Sequence, residues 1–87
     1  MDFKQNEEIL SDEIRKLFAK ESWIMHQINF NRGYITFVLT TPYNMDYRHI
    51  SQILDIDSTE VIPLMELDNN DQNLRTWIYT IKTEWVT

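Results

Sequence analysis

The sequence has no cysteine, one glycine and two prolines. Without cysteine there are no disulfides, zinc ribbons, thiol nucleophiles or dithiol redox motifs, and the composition fits a reducing compartment such as the cytoplasm. A single glycine, Gly33, excludes the glycine-rich turns that cradle phosphates and dinucleotides. Apolar runs free of proline stop at three residues, as in Phe37-Val38-Leu39, so no segment reads as a membrane span. Asp2, Glu7, Glu8, Asp12 and Glu13 are at odds with a signal peptide or a basic transit peptide. Cations are scarce as well. Eight Lys and Arg face fourteen Asp and Glu, and no Lys or Arg lies between Arg48 and Arg75. Duplex affinity depends on cations that neutralise phosphates, so direct nucleic-acid binding is not expected.

What is present suffices for one small core. The 87 residues are 43% hydrophobic and include three Trp, four Tyr and four Phe. A chain of this size buries roughly 60–65% of its unfolded surface, which predicts a single domain over residues 1–87.

Leu10, Ile14, Leu17 and Phe18 recur at helical spacing and predict a first helix over residues 3–20, capped by Asp2 with Gln5 reaching back. Residues 23–30 and 34–41 are rich in β-branched and aromatic side chains and read as strands joined by a turn in which Gly33 takes a positive φ. Pairing Phe30 with Ile35 and Ile28 with Phe37 sets apolar against apolar, with Asn29 opposite Thr36. Asn44 is a candidate N-cap for a second helix over 45–55, whose apolar face is Tyr47, Ile50, Ile53 and Leu54. Residues 60–67 form a third strand, with Pro63 marking a sheet edge or a bulge. A polar loop leads to a fourth strand over 74–85. Leu67 opposite Leu74 would set Glu66 against Arg75, Leu64 against Trp77 and Ile62 against Tyr79.

The order α-β-β-α-β-β predicts an α+β fold, a four-stranded antiparallel sheet with two helices packed on one face. The halves echo each other at an offset of 36 residues: Ile14, Leu17, Phe18, Glu21 and Ser22 match Ile50, Ile53, Leu54, Asp57 and Ser58. A duplicated αββ unit would produce this echo, and so would any two amphipathic helices that each lead into a strand. Trp77, Tyr79 and Ile81 share a face that belongs in the core. Trp23, on the face opposite Ile24 and Ile28, and Trp85 lie near strand ends and are expected to be partly exposed.

Charge is localised. Asp46, Asp55, Asp57, Glu60, Glu66, Asp68 and Asp71 are opposed within their stretch only by Arg48, so that segment carries −6, the formal charge of the whole chain. Elsewhere seven acids and seven bases cancel. An acidic face of this kind attracts a basic partner and steers its approach, although it also serves solubility and blunts an edge strand.

The segment from Arg48 through Ile50, Ile53, Leu54 and Ser58 to Val61 resembles the helix-turn-helix of bacterial sigma-factor-type regulators. There, an Ile-x-x-Ile-Leu helix leads through a turn to a recognition helix beginning near Ser-x-x-Val. The resemblance covers 14 residues and implies a DNA-binding regulator using residues 45–67, the rival to a protein-binding function. The sequence departs from the pattern at Pro63, which breaks a helix, and at Asp55, Asp57 and Glu60, which would face phosphates.

Other constellations yield little chemistry. Asp68 opens an Asp-x-Asn pattern, but Asn73 and Tyr79 stand where a calcium loop needs Gly and Glu. Asp55 and Asp57 alone make a weak cation site. His26 and His49 have no Cys or HExxH context for zinc and no Ser or Asp at a catalytic spacing. The expectation is therefore a small acidic protein-binding module, not an enzyme, with no cofactor and no metal. It would act as an inhibitor or adaptor, and in its sharper form as a nucleic-acid charge mimic that blocks a partner's basic groove, as phage anti-host or anti-defence proteins do. Its partner-binding residues would be Asp55, Asp57, Glu60, Asp68 and Asp71. The partner would be a protein with a basic surface, in the sharper form a nucleic-acid-binding one. No membrane is involved, and a homodimer is compatible with the sequence.

Overall fold

The computed structural model of the chain describes residues 3–31 and 33–82, with side chains from residue 8 onward. Helix α1 (Phe3–Lys20) precedes strands β1 (Ile24–Asn31) and β2 (Tyr34–Pro42). Helix α2 (Arg48–Leu54) and one 3-10 turn (Ser58–Glu60) precede β3 (Val61–Leu67) and β4 (Leu74–Lys82). The four strands form one antiparallel sheet in the order β1-β2-β4-β3, giving the expected α+β architecture. Ile14 and Phe18 of α1 and Ile50 of α2 are buried with Ile35, Phe37, Leu39, Tyr79 and Ile81, so both helices cover the same sheet face. The expected cap by Asp2 and Gln5, and Trp85, lie outside the described residues.

Helix α1 ends where Ser22 takes a φ of 64°, after which the Trp23 N–H donates to the Phe18 carbonyl at 3.1 Å. That turn drops Trp23 into the core, 6% exposed, 5.7 Å from the Phe18 ring and edge-on to His49 at 5.4 Å. Its expected partial exposure is therefore corrected. Trp23 also shares the helix side with Ile28, because the β-bulge at His26 shifts the alternation of β1 by one. The first hairpin otherwise follows the expected register, with Phe30 opposite Ile35 and Ile28 opposite Phe37, and Gly33 at φ 74°.

Helix α2 is shorter than expected. Asn44 does not cap it. The Asp46 carboxylate accepts from the Arg48 N–H at 3.0 Å, and Tyr47, at the cap position, is 41% exposed instead of packed inward. Asp55 lies past the helix as its left-handed C-cap, φ 57°, and not on the helix's polar face.

The second hairpin departs most from expectation. Val61 pairs with Ile81, Ile62 with Thr80 and Pro63 with Tyr79. After a bulge at Leu64, Met65 pairs with Ile78, Glu66 with Trp77 and Leu67 with Thr76. The 3-10 turn delivers Val61, 3% exposed, into the core against α2, so Ile62 points outward. Proline lacks an N–H for the ladder, and the extra residue at the bulge absorbs the mismatch. Glu66 still binds Arg75, at 2.6 Å, but diagonally. Pro63 thus marks both an edge strand and the start of a bulge.

The strand pairing of the two halves follows an approximate two-fold axis. Each outer strand carries one bulge, at His26 opposite Val38 and at Leu64 opposite Ile78, and Val38 and Ile78 pair with each other at the centre of the sheet. Ile14 and Ile50, which match in the 36-residue sequence echo, are both buried.

Candidate functional site

The seven acids of the second half fall into two groups. Asp46 is held by Arg48 at 2.7 Å and Glu66 by Arg75 at 2.6 Å. The Arg75 guanidinium also lies 5.0 Å from the Tyr43 ring centroid and 5.5 Å from that of Trp77, so stacking fixes it as well as charge. These cations hold the Asp46 and Glu66 carboxyls below their ordinary pKa, chiefly through the side-chain hydrogen bonds. The other five, Asp55, Asp57, Glu60, Asp68 and Asp71, make no ion pair among the described residues. Four are exposed and Glu60 is half-buried.

Their positions follow from local structure. Asp57 caps the 3-10 turn, accepting from the Thr59 backbone N–H and hydroxyl at 2.9 Å each, and these bonds lower its pKa. Asp55, Asp57 and Glu60 thus gather before the start of β3. Asp68 and Asp71 lie in the loop beyond its end, where Asp71 accepts from the Asn73 N–H at 2.9 Å. At roughly 3.3 Å per residue, the two groups stand about 20–25 Å apart. Lys82 ends β4 near the first group but forms no ion pair among the described residues.

Between the acidic ends lies an apolar strip, of which the sequence reading places Ile62 and Leu64 in the core. Ile62, Met65 and Leu67 stand opposite Thr80, Ile78 and Thr76, on the face away from the helices, and Leu64 is the extra residue at the bulge. Ile62, Leu64 and Met65 are 41%, 55% and 54% exposed. The signal was present in Val61-Ile62-Pro63-Leu64-Met65: in a strand, apolar residues at consecutive positions cannot all face one core. The two central strands flank the Val38–Ile78 pair on this face with threonines, and β1 adds exposed Ile24. Thr36 meets Thr80 at 3.1 Å and Thr40 meets Thr76 at 2.8 Å.

A concavity of about 620 Å³ lies between the end of α1 and α2, lined by Trp23, Asp46, Arg48, His49 and Gln52 among others. It is shallow, Arg48 is engaged by Asp46, and His49 rests against Trp23. His26 bonds the Thr40 hydroxyl at 2.6 Å. Among the described residues no group of three or more His, Cys, Asp or Glu is placed to hold a metal ion. No helix among them is long and apolar enough to cross a membrane.

The helix-turn-helix resemblance is corrected by the backbone. Its second helix would occupy residues that form one 3-10 turn and the edge strand β3, because β-branched Val61 and Ile62 followed by Pro63 favour extended chain. No protein-family model, curated protein or solved structure matches the chain.

Proposed function

We propose that the chain is a protein-binding module of inhibitor or adaptor type, acting in the cytoplasm, whose acidic second half meets a basic partner. The observation that supports this most is the sorting of the acids. The half's two arginines are taken up by Asp46 and Glu66, leaving five carboxylates at the two ends of one strand with no ion pair among the described residues. Such a pair of charged ends steers a cationic surface and fixes its orientation. In its sharper form the module mimics nucleic-acid charge and occupies a basic groove, the strategy of phage anti-host proteins.

Capture of partners on immobilised protein, followed by binding measurements on the purified partner, tests this. Asp55→Asn, Asp57→Asn and Glu60→Gln together are expected to weaken binding at least about tenfold. Glu7→Gln, Glu8→Gln and Glu13→Gln on α1 are expected to change it little. A charge mimic is expected to compete with DNA for the partner while binding no DNA itself. Equal effects of the two acid sets would overturn the proposal.

A further inference from the structure

We infer that the partner docks on the helix-free sheet face along β3, and that it presents an apolar strip bracketed at both ends by lysine or arginine side chains. This rests on the acidic half being the binding half and adds what touches between the charges.

The fold supplies its own control. The two-fold relation that superimposes the bulges sets Leu64 on His26, Met65 on Gln27 and Leu67 on Asn29. At these positions β1 is polar and β3 is apolar, within the same sheet and on the same face. The architecture therefore tolerates polar residues there, and folding does not demand Leu64 or Met65. The same relation sets Ile62 on Ile24, itself 56% exposed, so an exposed isoleucine there is common to both halves. Leu64 and Met65, 55% and 54% exposed with half-buried Val38 and Ile78 beside them, are what β3 adds, and they are a binding feature rather than a packing one.

The edge of β3 does not invite an added strand, because Pro63 lacks an N–H and the bulge at Leu64 breaks the ladder. Contact is by side chains on the face. A second copy of the chain is a poor occupant. Both ends of the strip are acidic, so stacking two copies along it, parallel or antiparallel, sets carboxylate against carboxylate. A uniformly basic groove is also a poor match, since lysines opposite Leu64 and Met65 would lose hydration without gaining a charge partner. An apolar strip with cations about 20–25 Å apart satisfies both parts of the surface.

The test is selection of a random displayed peptide library on three proteins: wild type, Leu64→His with Met65→Gln, and Asp55→Asn with Asp57→Asn and Glu60→Gln. The His and Gln are the residues β1 already carries at the equivalent places, so the fold is kept, and a melting curve checks it. Wild type is expected to enrich peptides with an apolar centre flanked by Lys or Arg, and each variant to lower their binding at least about tenfold. Enrichment of uniformly basic peptides, indifferent to Leu64 and Met65, overturns this inference and leaves the acidic reading standing. Enrichment of apolar peptides without basic flanks retains the strip but overturns the acidic reading. Dimerisation of wild type at low salt, abolished by the Leu64 and Met65 changes, overturns the inference in favour of a second copy.

Discussion

The two αββ halves solve the same folding problem with different surfaces. Each sends a helix onto one sheet face and follows it with a hairpin whose outer strand bulges opposite the Val38–Ile78 pair. The first half uses a helix of 18 residues, and apart from Ile24 its outer strand shows polar side chains to solvent. The second uses a helix of seven residues, an outer strand with exposed Ile62, Leu64 and Met65, and nearly all of the chain's net charge. Where equivalent positions differ in this way, the shared residues report on folding and the divergent ones on what the molecule does.

The largest expected effect tests which residues of β3 face inward. Val61→Asp places an unpaired charge in the core and should cost about 3–5 kcal/mol, enough to unfold a small domain. Ile62→Asp should change stability by less than about 1 kcal/mol. Urea titration of both checks this, and the reverse order would restore the register in which Ile62 faces Tyr79.

Next in size is the equivalence of the helices. Ile14 and Ile50 are 2% and 0% exposed. Each change to Ala should cost about 2–5 kcal/mol. A melting midpoint that hardly moves in Ile50→Ala alone would mean that the short helix carries no core of its own and that the halves are not equivalent.

A smaller effect separates Tyr79 from its first-half counterpart Leu39. Burial pushes the Tyr79 phenol up to about 12, from an ordinary value of 10.0. The folded state thus holds a proton that the unfolded state releases first. Its contribution is complete below pH 10 and is lost as pH rises through 10 to 12. Tyr79→Phe is expected to raise the pH of alkaline unfolding while leaving stability at neutral pH nearly unchanged. An unchanged alkaline midpoint would place the phenol in water.

The smallest effect concerns Glu66 and Arg75. Glu66→Lys should lower the melting midpoint slightly, and adding Arg75→Glu should recover only part of the loss. The reversed pair restores the charges but not the guanidinium's packing on Tyr43 and Trp77. Full recovery would show that the stacking contributes nothing.

The same contrast explains what could be read from the sequence. The first hairpin was legible because Gly33 pins the turn and Ile28, Phe30, Ile35 and Phe37 alternate cleanly. The second hairpin was not. Val61 and Ile62 are adjacent apolar residues, so a period of two fits either one inward, and Pro63 with the bulge at Leu64 breaks the alternation. The Glu66–Arg75 pair pointed to the wrong register, because long side chains reach diagonal neighbours as readily as direct ones. The start of α2 was misplaced because the Asp46 carboxylate engages the first helical N–H where Asn44 was expected to act. Of the candidate site, the five acids stood out by composition alone. The apolar strip between them stayed hidden because the assumed register turned Ile62 and Leu64 inward.

The most direct test of the account is the rate at which a purified partner associates with the protein as ionic strength rises. The account expects a steep fall for wild type, a shallow one after Asp55→Asn, Asp57→Asn and Glu60→Gln, and wild-type behaviour after Glu7→Gln, Glu8→Gln and Glu13→Gln. A wild-type rate indifferent to salt, or equal sensitivity to both acid sets, would contradict the assignment of binding to the second half.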